Sequence, residues 1–299
     1  MTETTSQPIP SQPKRSLFQQ LELDVRLLGM IGAFVILCIG FNLLTDGRFL
    51  SPRNLFNLTI QTVSVAIMAT GMVFVIVMRH IDLSVGGVLA VSSAVMALVQ
   101  TKFLPTYLGL GFDNPLTWII AIAIGLCIGT LIGAFQGWLI GYQSVPAFIV
   151  TLRGFLIWRN YGWLFTSGQT IGPLDKNFLV LGGVNGTMGE ATSWTIGIVA
   201  VAISLWAMVA SRRGRIQHGF PAKPAWAEGI VMGIVTCTIL GFVWILNSYN
   251  IPTRKLQRMF EAKGEVMPEG LEVGYGLPIS VLILIATAIV MTLVARRTR

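Results

Sequence analysis

Three polar side chains recur along one face of an otherwise apolar segment near residue 60. Asn57, Gln61 and Ser64 are spaced i, i+4 and i+7, which places them on one side of a helix. Such groups either line a path for a hydroxyl-rich solute or bond a neighbouring helix, because polar side chains rarely face lipid. Both interpretations stay open for this stripe. They stay open also for Gln136 and Gln143, which lie seven residues apart in a later apolar run.

A short polar junction separates two apolar runs at residues 79–87. It contains Asp82, Ser84 and Gly86, and it leaves almost no loop between the runs. Asp82 and Ser84 are of types that cap a helix, since their side-chain oxygens accept hydrogen bonds from the first free amides. Capping is the plain interpretation of both residues. The alternative is that the Asp82 carboxylate acts in gating, against Arg79 or a partner protein.

The remaining reactive residues exclude several classes of chemistry. The chain has no G-x-x-x-x-G-K-[ST] string, so it lacks that phosphate-binding loop. Its two histidines and three cysteines are far apart, which predicts neither a metal site nor a catalytic nucleophile with a paired base, and we expect no enzyme activity. The 13 acidic residues fall in tails, loops or the ends of apolar runs, whereas a proton-coupled carrier places such groups inside its spans.

Glycines repeat every four residues in one apolar run. Small residues at this spacing let helices approach closely in lipid, so Gly125, Gly129, Gly133 and Gly137 are predicted to form a packing stripe. The alternative is a groove along which a neighbouring helix slides.

These residues lie in a chain that is predicted to be an all-α, polytopic membrane protein. Only 11% of its residues are charged and the mean hydropathy is +0.72. Uncharged runs of close to ~20 residues, the length that spans a bilayer as a helix, recur along the chain. They show no residue-by-residue alternation of polar and apolar side chains, which favours helices over barrel strands. About eight spans are predicted: Leu27–Leu44, Leu55–Met78, Leu83–Gln100, Leu116–Ile140, Val145–Phe165, Trp194–Ala210, Trp226–Leu246 and Leu277–Ala295.

The distribution of basic residues predicts the orientation in the membrane. Residues 1–26 are interpreted as a cytoplasmic tail, because basic residues precede the first span and no cleavage site follows it closely. Alternation then places the Arg212–Lys223 loop inside, as the positive-inside rule requires. The net charge of +8 therefore indicates membrane topology and not nucleic-acid binding. Arg153 and Arg159 interrupt the fifth span, which we expect to be broken, tilted or partly re-entrant.

Two motifs resemble a known family of transport proteins. The strings Ile81-Asp-Leu-Ser-Val-Gly86 and Pro146-Ala-Phe-Ile-Val-Thr-Leu152 are similar to those of the permease subunit of ribose/xylose/arabinose-type ABC importers. The basic loop near residue 215 and the extra span from Trp226 resemble the D-xylose members of that family. The likeness covers nearly the whole chain from about residue 25.

The resemblance implies function and partners. It implies a homodimeric permease, embedded in lipid of the inner membrane, that receives a monosaccharide from a periplasmic binding protein and is driven by a separate ATPase subunit. ATP would bind that subunit, and no cofactor is expected here. Family members continue past Thr298-Arg299 into an ATPase-coupling segment, so residues 27–299 are interpreted as an incomplete permease domain that does not support uptake alone. A secondary sugar carrier and a membrane scaffold are the alternatives.

Overall fold

A computed structural model describes residues 25–112, 114–182, 186–220, 224–261, 264–268 and 270–297. Within these ranges the regular structure is helical, with isolated β-bridges and no strands. Long uncharged runs fold this way because a helix pairs its backbone amides within its own segment. Most of the predicted N-terminal tail, Lys223 and Thr298-Arg299 lie outside the described residues.

The described helices are numbered in chain order. They are α1 (Val25–Leu44), α2 (Pro52–Val77), α3 (Val85–Leu98), α4 (Leu104–Leu108), α5 (Leu116–Gly141), α6 (Ala147–Thr166), α7 (Lys176–Gly182), α8 (Glu190–Gln217), α9 (Ala225–Asn247), α10 (Thr253–Glu261) and α11 (Ile279–Arg297). A π-helical turn, Val99–Phe103, joins α3 to α4 without a break.

Six of the described helices are long and apolar enough to cross a membrane. They are α2, α3 with its continuation to Leu108, α5, α8, α9 and α11. The chain is therefore a polytopic membrane protein. The count of about eight spans stays a prediction, because the apolar part of α1 described here, Gly29–Leu44, is shorter than 18 residues and α6 is less apolar. Arg153 and Arg159 lower the hydropathy of α6, yet this helix is continuous and both side chains are exposed.

The third span extends further than its apolar run predicts. The prediction ended it at Gln100, and the helix instead continues through the π turn to Leu108. Because α4 continues the helix from α3, Pro105 lies inside a continuous helix, where its ring removes one backbone hydrogen bond and crowds the preceding turn. The wider π turn just before it accommodates this local change without ending the helix.

The chain divides into two compact units. Among the described residues, the first unit takes 25–55 and 190–274, and the second takes 56–182, 186–189 and 275–297. In the first unit α8 packs on α9: Val243 lies where a Cβ on Gly197 would project, and Arg212 pairs with Glu228. This ion pair neutralises one arginine of the predicted cytoplasmic loop.

The second unit is built on α3, which packs against α6 and α5. The α3–α6 contact is close because glycines face it from both helices. A Cβ added at Gly87 would lie 2.7 Å from the Phe155 carbonyl oxygen, and one at Gly162 would lie 3.0 Å from the Ala90 backbone. In the same unit Tyr275 packs on Phe56, and burial raises the pKa of the Tyr275 phenol.

Candidate functional site

A groove of about 760 Å³ runs between α3 and α5 in the second unit. Its residues on α3 run from Val85 to Met96, and those on α5 run from Gln136 back to Ile122, so the two helices are antiparallel walls. Single residues of α2 and α11, Met68 and Ile283, complete the sides, and α7 contributes Phe178, Leu181 and Gly182 at the Met96 end. Most of this lining is apolar, and three of its polar side chains lie together at the other end.

The polar end of the groove is a hydrogen-bonded chain of three side chains. Asp82 Oδ1 accepts from the Ser84 backbone amide and lies 2.7 Å from the Ser84 hydroxyl. The Gln136 side-chain amide lies 2.8 Å from the same hydroxyl, although Ser84 and Gln136 are 52 residues apart. Ser84 and Gln136 are 1% and 5% exposed. Two predicted residues from different helices therefore meet here.

The single hydroxyl proton of Ser84 fixes the direction of the hydrogen bonds among these three side chains. A hydroxyl has one proton, and the two atoms facing Ser84 Oγ are Asp82 Oδ1 and Gln136 Oε1, which both accept. The Gln136 amide nitrogen has no hydrogen-bond partner and is buried. Because amide oxygen and nitrogen are assigned from their partners, the satisfied arrangement turns the amide over. Gln136 then donates to Ser84, and Ser84 donates to Asp82.

Asp82 is the charged residue of this groove among the described residues that line it. Its Oδ1 atom is held by Ser84, while its second oxygen accepts no hydrogen bond within the described part of the chain. The capping interpretation needs correction, because the Ser84 side chain makes no cap hydrogen bond. Its hydroxyl is engaged by Asp82 and Gln136 instead, and Asp82 closes a turn onto the Ser84 amide.

The two family-like motifs meet at this same end. The Thr151 hydroxyl, from the string that begins at Pro146, lies 3.3 Å from the Ile81 carbonyl oxygen. Gly154 lies one turn further along α6, where an added Cβ would come within 2.5 Å of the Gln136 amide nitrogen. Gly86 is exposed beside this cluster. Both motifs thus hold the N-terminus of α3 against α5 and α6.

A second buried polar pair lies beside α7, and sequence reasoning missed it. Asp175 is fully buried; its Oδ1 accepts from the amides of Asn177 and Phe178, and its own amide donates to Gln100 in the π turn. The second oxygen of Asp175 and the amide nitrogen of Gln100 have no partner. An aspartate just before an apolar run is a helix-capping signal that would have located α7.

None of the three residues of the polar stripe on α2 lines the groove. Asn57 is half-buried, whereas Gln61 and Ser64 are exposed, and the Ser64 hydroxyl donates to the Gln61 carbonyl. Gln143 is exposed as well. The residue that α2 contributes to the groove is Met68. The substrate-path prediction for this stripe stays a prediction.

The glycine stripe of α5 has two different surroundings. An added Cβ at Gly125 would lie 2.5 Å from the Met96 side chain, and one at Gly129 would lie 3.7 Å from Ser92 Oγ. Gly133 and Gly137 are exposed, and an added Cβ would meet nothing within 4 Å. The first three line the groove, and Gly137 lies beyond it. Ser92 and Thr130, which the sequence analysis did not single out, supply hydroxyls to the groove wall.

Comparisons with known proteins identify the family. The xylose transport system permease protein XylH of Escherichia coli K12 is 35% identical over 236 residues, and its Haemophilus influenzae counterpart is 31% identical over 234 residues. These alignments cover 77% and 78% of this chain but 56% and 59% of the relatives. The ribose import permease protein RbsC of Escherichia coli K12 is 33% identical over 183 residues, or 60% of this chain and 53% of the relative.

The chain spans little more than half the length of these curated relatives. No solved structure matches it. The family model described as "Branched-chain amino acid transport system / permease component" matches residues 54–220, which include α3, α5, α6 and both motifs. The chain belongs to this family of transport permease components.

Proposed function

We propose that this chain is the membrane-spanning permease subunit of an ABC importer and that its cargo is a monosaccharide, D-xylose. The observation that carries the proposal is the 35% identity to a xylose permease over 236 residues. The groove supports it, because its volume of about 760 Å³ is within the range of small-ligand sites, ~300–1,000 Å³. A neutral solute suits a lining with a single charge.

The proposed membrane arrangement has about eight spans with the N-terminus in the cytoplasm of an inner-membrane protein. In addition to the six apolar helices, α1 and α6 cross the bilayer. Support for α6 is its close contact with α3, a spanning helix, at Gly87 and Gly162. Support for the orientation is the basic end of α8, where Arg212, Arg213 and Arg215 precede α9.

The proposed partners follow from the family. The permease works with a sugar-importer ATPase on the cytoplasmic side and a periplasmic sugar-binding protein on the other side, as a homodimer in lipid. ATP binds the ATPase, and this chain is a transport subunit without catalytic residues or a bound cofactor. Gly137, which is exposed and lies outside the groove, is proposed as a packing position, because small residues permit close helix contacts in lipid, whereas Gly133 lines the open groove.

One observation favours a second candidate, a proton-coupled sugar carrier. The Asp82 carboxylate lines the groove, and ionisable groups on a substrate path are typical of proton-coupled transport. The two candidates differ in energy source. ATP drives the importer, whereas a proton gradient drives the carrier.

The test is uptake of radiolabelled D-xylose by cells that lack their own xylose permease but keep its ATPase and binding protein. One strain receives the 299-residue chain, and another receives the same chain followed by the remaining C-terminal part of the Escherichia coli xylose permease. We expect the extended chain to restore uptake that excess xylose inhibits and excess leucine does not, and the strain with the 299-residue chain serves as the comparison.

Controls separate the candidates. An ATPase variant unable to hydrolyse ATP abolishes uptake by an importer but not by a proton-coupled carrier. A proton ionophore added to ATP-loaded vesicles abolishes uptake by a proton-coupled carrier but not by an importer. If the extended chain reaches the membrane and transports no xylose, or if leucine competes as well as xylose, the proposed cargo is wrong.

A further inference from the structure

The polar end of the groove presents an acceptor whose orientation is set in advance. One oxygen of Asp82 is held by the Ser84 amide and hydroxyl at 2.7 Å, so the carboxylate cannot turn freely. Gln136, which is 5% exposed, holds Ser84 from the opposite wall, 2.8 Å from the Ser84 hydroxyl. This leaves the second carboxylate oxygen, on a residue that lines the groove, without a partner in the described chain.

A fixed carboxylate oxygen is a strong acceptor for a neutral hydroxyl. Hydrogen bonds to an ionised acceptor are roughly twice as strong as neutral ones. The direction of the hydrogen bonds adds to this preference. Gln136 donates to Ser84 and Ser84 donates to Asp82, so the free carboxylate oxygen of Asp82 remains able to accept. The side chains of Val85 and Val88, which line the groove, are apolar and carry no donor.

We propose that Asp82 binds a hydroxyl group of the sugar at the polar end of the groove, with Ser84 and Gln136 as positioning residues. This inference rests on the proposed function and specifies its site. The hydroxyl donates its proton to the free carboxylate oxygen, and no covalent step is involved. The apolar walls contact the carbon face of the ring.

Two glycines of α5 provide a matched pair of reporters. Gly133 lines the groove one turn before Gln136, and Gly137 lies one turn after Gly133, next to Gln136 in the sequence but outside the groove lining. Both are exposed, and both have open space where a side chain would project. After the native cysteines are removed as Cys38→Ala, Cys127→Ala and Cys237→Ala, the variants Gly133→Cys and Gly137→Cys are each purified and reconstituted in lipid nanodiscs.

The measurement is the rate of maleimide labelling at increasing D-xylose concentration. We expect D-xylose to slow labelling at Gly133→Cys but not at Gly137→Cys, and L-leucine to slow neither. Adding Asp82→Asn to Gly133→Cys should raise the half-protecting xylose concentration about tenfold, because the neutral amide replaces a charged acceptor but still holds the Ser84 amide. The labelling rate without sugar should not change.

Ser84→Ala tests the positioning role. It also provides a second variant that tests the proposal if the Asp82 variant misfolds. It should raise the half-protecting concentration for D-xylose severalfold. It should have no effect on the monodeoxy derivative that lacks the hydroxyl bound by Asp82, whereas a merely structural role would weaken all sugars alike. That derivative is recognised as the one whose binding Asp82→Asn leaves unchanged.

Two kinds of result would overturn the inference. Equal protection with and without Asp82→Asn would mean that the sugar does not use this carboxylate. Absence of protection at Gly133→Cys, or equal protection at Gly137→Cys, would mean that the groove is not where the sugar binds. Neither result bears on the uptake test above, so the proposed function can survive the failure of this site.

Discussion

The glycines at the α3–α6 contact make a sharp stability prediction. Gly86 and Gly87 are adjacent in the first turn of α3, and both face Phe155 of α6. A Cβ added at Gly86 would lie 3.6 Å from the Phe155 ring, an ordinary contact, whereas one at Gly87 would lie 2.7 Å from the Phe155 carbonyl oxygen. That oxygen belongs to the backbone of a helix, so it cannot rotate away as a side chain would.

The structure indicates the size of the effect of Gly87→Ala. To restore a contact of 3.4 Å from 2.7 Å, the helices must separate by about 0.7 Å. A gap of ~0.5–1 Å loses a quarter to a half of the dispersion energy of each affected contact, and overpacking typically costs ~1–3 kcal/mol. Replacing glycine by alanine in a helix gains ~0.5–1 kcal/mol. This gain applies to both variants and cancels when they are compared.

We therefore expect Gly87→Ala to unfold more readily than Gly86→Ala by about 1–3 kcal/mol. The measurement is equilibrium unfolding of the purified chain in mixed micelles of increasing SDS content, followed by tryptophan fluorescence. Gly86→Ala should be as stable as the native chain or slightly more stable. Equal stability of the two variants would refute the close approach of α3 and α6 at Gly87.

Three further predictions concern topology, α7 and the glycine stripe. In a cysteine-free background, Gln169→Cys should react with a membrane-impermeant maleimide in whole cells and Gln217→Cys should not; the opposite pattern would reverse the proposed orientation. Asp175→Ala should speed amide hydrogen exchange in α7, since a lost cap costs about 1 kcal/mol, whereas Asp175→Asn keeps the cap and should not; equal exchange would contradict the capping role. Gly125→Leu should lower the SDS unfolding midpoint, because Met96 occupies the space of the new side chain. Gly137→Leu should leave the midpoint unchanged and should weaken self-association if the stripe packs against a second copy. A lowered midpoint for both variants would mean that the whole stripe packs within one chain.

Much of the polar end of the groove was within reach of sequence reasoning. Asp82 and Ser84 were singled out as residue types that cap a helix, and Gln136 as a polar residue inside an apolar run. The sequence did not indicate that Ser84 and Gln136 contact each other, since they are 52 residues apart and on different helices. It also left a substrate path open for the α2 stripe, whose spacing is regular, although neither Gln61 nor Ser64 lines the groove.

The helical class, the main spans and the family follow from the amino-acid sequence alone, because hydropathy and motif identity are properties of continuous segments. Which residues of each helix face one another depends instead on tertiary contacts. Gly87 and Gly162 make the close contact, whereas Gly133 and Gly137, which share the regular four-residue spacing, do not. Periodicity shows that residues share a face of a helix, but the rotation of that helix and the choice of its neighbour depend on all the contacts in the bundle. Those contacts form between segments that are distant in the chain.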